Sequence, residues 1–287
     1  MKHCLAQPRS WIMRLMRNGS IATFLLIAAH CTAAGLPRAA DRAFQRYVTA
    51  VEQRLAAQHT SPSAYLATFD REPDSRIAME RRLRSSGPVI GSIDTGMPAL
   101  DGALLHHWRA AAFVPSATAA DMLALLRDYC RLPAHYAPEI VSSRVLVDNG
   151  RTALLAIRLR QRRVFPIVLD AEYQAEAKLT GADRGYSLSR STHIWQIDAP
   201  GTPNERRRAP GQEDGFLWRL DSYWSFLRKP DGLFIECEAI SLTRDIPRGL
   251  GWLIAPMVRD LPRQELQFTM DATRNALITR AAEEAHP

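Results

Sequence analysis

The sequence predicts an α+β fold in which a curved, seven-stranded antiparallel sheet wraps around one long C-terminal helix, with an extra helix at the N-terminus. Three observations carry this. Residues 139–244 hold six strand-like segments with turns, and no long helix, between them. Within 164–178, Ile167, Leu169, Ala171, Tyr173, Ala175 and Ala177 alternate with polar residues, a period of two that puts one face in a core. The tail 249–282 then repeats apolar residues at helical spacing, with Leu266, Met270, Thr273 and Leu277 on one stripe. An antiparallel sheet with one apolar face has to cover it, and a single long helix remains to do so.

In chain order, 39–57 is a helix by the spacing of Phe44, Val48, Val51 and Leu55, and Asp41 favours its first turn. Residues 58–101 are broken by Pro62, Pro73, Gly87, Pro88, Gly91, Gly96 and Pro98; they read as a helix and a loose connector with a short strand near 89–93. The first long strand is 103–114, stopped by Pro115. Ser116 or Thr118 caps the helix that follows, with Met122, Leu123, Leu125, Leu126 and Tyr129 apolar, and a short helical turn lies near 132–136. Asp148-Asn149-Gly150 marks a hairpin between 139–147 and 151–160. Strands 164–178 and 185–198 meet at Gly181-Ala182-Asp183. A polar loop, 199–214, carries Arg206-Arg207-Arg208 as a solvated tip. The last hairpin, 216–228 with 233–244, turns at Lys229-Pro230-Asp231-Gly232. The closing helix is expected to start brokenly at Pro256 and Pro262.

Composition narrows the function. The apolar fraction of 46% is that of a globular chain. The net charge is +7, but residues 1–34 hold Lys2, Arg9, Arg14 and Arg17 and no acid; without them 33 basic residues face 30 acidic ones. A remainder of +3 does not argue for nucleic acid as a partner. Those 34 residues read as an export signal: four positive charges, the apolar run 21–29, then Thr32, Ala33 and Ala34 before a cleavage point at Gly35. The apolar run is too short to span a bilayer. The chain therefore divides into a signal at 1–34, a helix and connector at 35–101, and the sheet-and-helix domain at 102–287, with a periplasmic or secreted location. Cys130 and Cys237 remain in the exported part, either as one disulfide or as two small buried hydrophobes. Cys31 poses the question of lipidation, although His30 stands where a small residue precedes a lipidated cysteine.

The strand from Phe113-Val114-Pro115 running into ATAADMLALLRDYCRLPAHYAPEIVSSRVL, and the end GWLIAPMVRDLPRQELQFTMDATRNAL, resemble the START-like (SRPBCC, helix-grip) superfamily. The first matches its opening strand, helix pair and second strand; the second matches its closing helix. FLWRLDSYWSF and FIECEAISLTRDIP are similar to uncharacterised exported bacterial members. The resemblance covers about residues 103–282. It implies an internal cavity that takes a lipid or other apolar small molecule, and therefore a carrier or sensor as the first reading. Two others stand beside it: a cyclase/aromatase-like enzyme, and an interaction protein whose cavity is filled by its own side chains.

The candidate cavity wall is Trp218, Trp224 and Phe226, on one strand face, closed by Leu266, Met270 and Leu277 from the last helix. Arg190 shares a strand face with Tyr186, Leu188 and Ile194; if that face is inward, it needs a carboxylate from a ligand or from the chain. Glu236 and Glu238 point to one face of the last strand. Simple alternation puts them outside, whereas a bulged turn at Gly232 would shift them beside Trp224 and Phe226. As a solvated or structural pair they would meet Arg190 or Arg219. His106 and His107 point to opposite faces, one half-buried and one at the surface. No catalytic, cofactor or metal motif accompanies them, and no catalytic residue, cofactor or metal is expected.

Overall fold

Hairpin chemistry sets the frame. In this computed structural model, which describes residues 35–61, 64–98, 100, 102–161, 167–209, 217–245 and 251–284, with last-helix side chains from Asp260 to Ala282, the turn after Asp148 is closed by its own side chains. Asp148 accepts from the Gly150 N–H, and Asn149 accepts from the N–H groups of Arg151 and Thr152. The expected signal at 1–34, with Cys31, lies outside the described residues.

The elements are α1 (Arg38–Thr60), a 3₁₀ turn (Ala67–Phe69), α2 (Pro73–Ser85), β1 (Val89–Ser92), β2 (Ala103–Pro115), α3 (Ala119–Arg127), a 3₁₀ turn (Tyr129–Arg131), α4 (Leu132–Tyr136), β3 (Ile140–Asp148), β4 (Thr152–Gln161), β5 (Ile167–Gly181), β6 (Arg184–Asp198), β7 (Arg206–Arg207), β8 (Leu217–Lys229), β9 (Gly232–Arg244) and α5 (Gly251–Glu284). The pairing is antiparallel throughout, in the order β1-β2-β9-β8-β6-β5-β4-β3, with β7 added beside the end of β6.

The path thus has eight strands, not seven, because β1 joins the edge beside β2, and β7 is a further two-residue pairing. Neither shows a run of alternating residues: β1 is four residues with a glycine, and β7 is two arginines from the expected solvated tip. The last helix also differs. Its helical assignment runs from Gly251 through Pro256 and Pro262 without a break; a proline removes one N–H bond, and neighbouring turns carry the helix on. Thr118, not Ser116, caps α3: its hydroxyl accepts from the Asp121 N–H while Asp121 accepts from the Thr118 N–H, a reciprocal capping box.

The sheet has two buried faces. The inner face meets α5 and α3: Ala110, Ala112, Val114, Trp224, Phe226, Leu233, Ile235 and Cys237 pack with Met122, Leu125, Leu266, Met270 and Leu277. The outer face is covered by α1, whose Phe44, Val48, Val51 and Leu55 pack on Trp218, Tyr223, Ile240 and Leu242. Beside them, Tyr65, Leu66, Phe69 and Leu83 cover Phe113, Leu227 and Phe234. The segment before β2 is therefore a second layer. No helix among the described residues is long and apolar enough to cross a membrane.

Candidate functional site

Register decides which side chains face α5. Along β2 and β9, Trp108 lies opposite Ala239, Ala110 opposite Cys237 and Ala112 opposite Ile235. Along β9 and β8, Cys237 meets Trp224 and Ile235 meets Phe226, and β8 meets β6 with Trp224 opposite Ser187 and Phe226 opposite Gly185. These rungs share the inner face. Gly185 is required here, since a Cβ on it would stand 2.6 Å from the Phe226 ring and 2.5 Å from the Lys178 carbonyl oxygen. At the tip of the β8–β9 hairpin, Gly232 adopts φ 154° and passes so close to β2 that a Cβ would lie 2.3 Å from the Val114 carbonyl oxygen.

Burial changes along this face. Toward the β8–β9 turn the rungs are filled: Phe226, Leu233, Ile235, Met270 and Leu277 are each 0% exposed. They leave no water-sized space beside themselves. Two to four residues further on, the same face opens. Leu104, His106 and Trp108 of β2, Ala239 of β9, Leu220 and Ser222 of β8 and Ser189 of β6 are only half-buried. The register keeps them adjacent: Leu104 opposite Thr243, His106 opposite Ser241, Ser241 opposite Leu220, Ala239 opposite Ser222 and Ser222 opposite Ser189. His106 Nε2 is 3.2 Å from Thr243 Oγ1, and burial holds the imidazole below its ordinary pKa. Among the described residues, this face is thus fully packed at one end and only partly buried at the other, with apolar side chains and neutral hydrogen-bonding groups.

Of the nine candidate cavity residues, Trp224, Phe226, Leu266, Met270 and Leu277 come together on the inner face. The other four do not join them. Trp218 lies on the outer face against α1, because β8 shifts register between Leu217 and Arg219, and one extra residue there reverses the facing of everything before it. Arg190 stands opposite Asp221 on the outer face, with Tyr186 and Leu188, and bonds Glu52 of α1, which holds its guanidinium above the usual range. Ile194 is on the inner face instead, since β6 shifts register around Thr192.

Glu236 and Glu238 also point outward, as simple alternation expects, but they are buried, each 1% exposed. Their partners are neither Arg190 nor Arg219. Glu236 accepts from the N–H groups of Ala67 (3.0 Å) and Thr68 (2.7 Å) and from the Thr68 hydroxyl; burial raises its pKa against these bonds. Glu238 accepts from Arg109 (2.9 Å) and Arg54, and its Oε2 is 2.7 Å from His107 Nε2. Burial works to raise its pKa, and the His107 bond with the Arg109 and Arg54 charges outweighs it, leaving the group at about 2. Tyr47 of α1 completes the line, its hydroxyl 2.7 Å from His107 Nδ1. His107 is therefore a buried latch residue and not a surface one. Arg219 pairs with Asp41. This network ties α1 and the turn after it to the sheet.

Cys237 is a free, buried thiol, so it is not bridged to Cys130; burial pushes its pKa up. A separate groove of about 740 Å³ lies between α5 and α3–α4, lined by Asp128, His135, Gln267, Phe268 and Asp271 among others. It opens to solvent, and none of the cavity candidates lines it.

The sequence reading put Leu220 on the face of Trp224 and Phe226 but missed Leu104, Trp108 and Ser222. The signal was present for β2, where Leu104, His106, Trp108, Ala110, Ala112 and Val114 share one face by alternation. In β8 the same alternation leads from Trp224 to Ser222 and Leu220; the shift misplaces only Trp218.

No family model and no curated protein matches this sequence. Among solved structures the chain is similar to a START superfamily protein from Mycobacterium smegmatis, at 13% identity over 60% of this chain and 96% of that one, with a TM-score of 0.40. It is similar to a STAR-related lipid transfer protein from Xanthomonas axonopodis, at 16% identity over 66% and 99%, TM-score 0.38. A third is the Zhui aromatase/cyclase from Streptomyces sp. R1128, at 12% identity over 64% and 97%, TM-score 0.43. At these values the likeness adds no argument about ligand or activity. The antiparallel order and the C-terminal helix against the inner face are themselves those of a START-like, helix-grip fold.

Proposed function

We propose that the protein binds an apolar small molecule, such as a lipid, in a cup between the partly buried end of the inner sheet face and α5. The observation that carries this is the change of burial along one face. Leu104, Trp108 and Leu220 are only partly buried beside rungs that are fully packed. Apolar surface turned toward a covering helix, yet left in contact with solvent, gains about 25 cal/mol per Å² when a ligand covers it. The burial of charge on the other face supports the same reading, because it leaves the inner face free for an apolar occupant.

The test is binding of an uncharged long-chain probe to the purified protein, read by tryptophan emission, since Trp108 lies in the cup. Ser222→Phe fills the open rungs from the central strand β8 and abolishes binding while the melting temperature holds. If no apolar probe binds the folded parent, the cup is filled in solution and the interaction-protein reading replaces this one.

Export is part of the proposal and rests on the charge and apolar pattern of residues 1–34. A fusion of residues 1–40 to a reporter active only outside the cytoplasm gives signal. A silent fusion, with the full-length protein in the cytosol, ends the periplasmic assignment.

A further inference from the structure

We infer that the exposed face of α1 docks on an anionic lipid surface through Arg38, Arg42 and Arg46. That face points away from the sheet, so the inference goes beyond the ligand proposed for the inner face.

The three arginines follow one another at a spacing of four residues, which sets them in one row along the helix, about 12 Å from first to last. All three are exposed, and none has a hydrogen bond or ion pair with a described residue. The acids of α1 do not answer them. Asp41 pairs with Arg219 of β8 at 3.0 Å, and Glu52 pairs with Arg190 of β6 and accepts from the Tyr223 hydroxyl. No exposed position of α1 is acidic.

Such a row is unfavourable in isolation. Like charges four residues apart on a helix repel, and cations near the N-terminal end oppose the helix dipole. α2 shows the ordinary arrangement instead: Glu72, Arg76, Glu80 and Arg84 alternate in sign at the same spacing, and Arg84 bonds Glu80 at 3.2 Å. A pattern that breaks a local rule, with nothing described inside the protein to offset it, marks a surface whose partner lies outside. The geometry gives the form of that partner. The α-carbons of successive arginines are about 6 Å apart, and the side chains leave one side of the helix. Their charge is therefore presented as a line, which anions spread over a surface match better than one small ion does. A chain carrying the export signal proposed above meets fixed anions of that kind in the phosphate groups of the membrane it has crossed, and a guanidinium pairs with phosphate through two parallel hydrogen bonds.

The experiment is co-sedimentation of the full exported chain with vesicles of phosphatidylcholine, alone or with one-third phosphatidylglycerol, at low salt. Each arginine held near an anionic surface raises partitioning roughly fivefold, so Arg38→Gln, Arg42→Gln and Arg46→Gln together lower binding to the anionic vesicles roughly 100-fold. Binding to the neutral vesicles stays weak and unchanged, and salt at about 0.5 M abolishes the parent's preference. The melting temperature of this variant does not fall, because only repulsion has been removed. Arg81→Gln, Arg82→Gln and Arg144→Gln take the same charge from exposed positions elsewhere and leave the parent's binding intact. Equal loss in the two triple variants would show that net charge and not the row is read, and overturns the inference. Undiminished binding by the α1 variant overturns it too, as does a parent that treats anionic and neutral vesicles alike. Tighter binding of the parent to a single-stranded DNA oligonucleotide than to the vesicles, lost in the α1 variant, would assign the row to nucleic acid and is equally fatal. Ligand binding in the cup is read separately with the neutral probe, so neither result stands in for the other.

Discussion

Gly185 sits where the Phe226 ring crosses its strand, and the space a methyl group would need is already taken by that ring and by the Lys178 carbonyl. Neither neighbour can move freely, because Phe226 is fully buried and the carbonyl belongs to the sheet. Gly185→Ala is therefore expected to cost about 1–3 kcal/mol, an overpacking effect; a urea midpoint equal to the parent's would show that the rung has slack. The outer face holds residues whose titration reaches stability. Burial, helped by the Arg54 charge, holds His59 at about 4, below 6.5, so between those values the unfolded chain binds a proton the folded one refuses, and acid weakens the fold. Burial raises Asp221 from 3.8 to about 6, so there the folded chain binds the extra proton and acid strengthens it. Asp221→Asn removes the opposing contribution. Acidification from pH 7 to pH 4.5 then costs the variant more than the parent, by about 1–3 kcal/mol. Equal losses would mean that Asp221 is already ionised in the folded state throughout that range. None of this was legible in the sequence. Simple alternation put Glu236 and Glu238 on the outer face, but the turn at Gly232 left their facing open, and neither reading reaches their partners, because Arg54 and the Thr68 backbone are more than 150 residues away.

At the scale of elements, spacing within one helix was enough for α5. Leu266, Met270, Thr273 and Leu277 form a stripe by sequence, and all four are buried against the inner face and α4. Leu277→Ala is expected to destabilise by about 2–5 kcal/mol through the cavity it opens. Ile278→Ala, one residue on and 41% exposed, changes stability by less than about 0.5 kcal/mol. Comparable losses for the two would show that the stripe has been misplaced by one residue. Strands were read less evenly. β5 is a regular alternation from end to end and its facing follows directly. β8 contains an extra residue at Trp218, which alternation counted from either end cannot locate; only the pairing with β9 shows it. That single residue separates Trp218 from Trp224 and Phe226, while Leu220 and Ser222 stay in line with them.

The whole molecule is a sheet with two buried faces of opposite character, and the difference explains why the segment before residue 102 matters. The inner face is neutral and partly open, the outer one charged and closed by α1, the following turn and α2. Removing residues 1–101 would leave β2–β9 and α5 intact in sequence but strip the cover from Trp218, Tyr223, Ile240, Leu242, Phe113 and Phe234. It would also take Arg54 from Glu238 and every described hydrogen bond from the Glu236 carboxylate. A buried carboxylate without partners costs several kcal/mol, and so does newly exposed aromatic surface; their sum approaches the whole stability of an ordinary domain. A chain of residues 102–287 is thus expected to aggregate or to melt without cooperativity, whereas one of residues 35–287 melts sharply. The discriminating variant is Glu236→Gln with Glu238→Gln in the short chain. If carboxylate burial is the larger defect, this pair restores part of its solubility; if bare apolar surface dominates, it restores none. A short chain that melts at the temperature of the long one would show the outer layer to be an appendage, and the two glutamates to be held by Arg109, His107 and solvent alone.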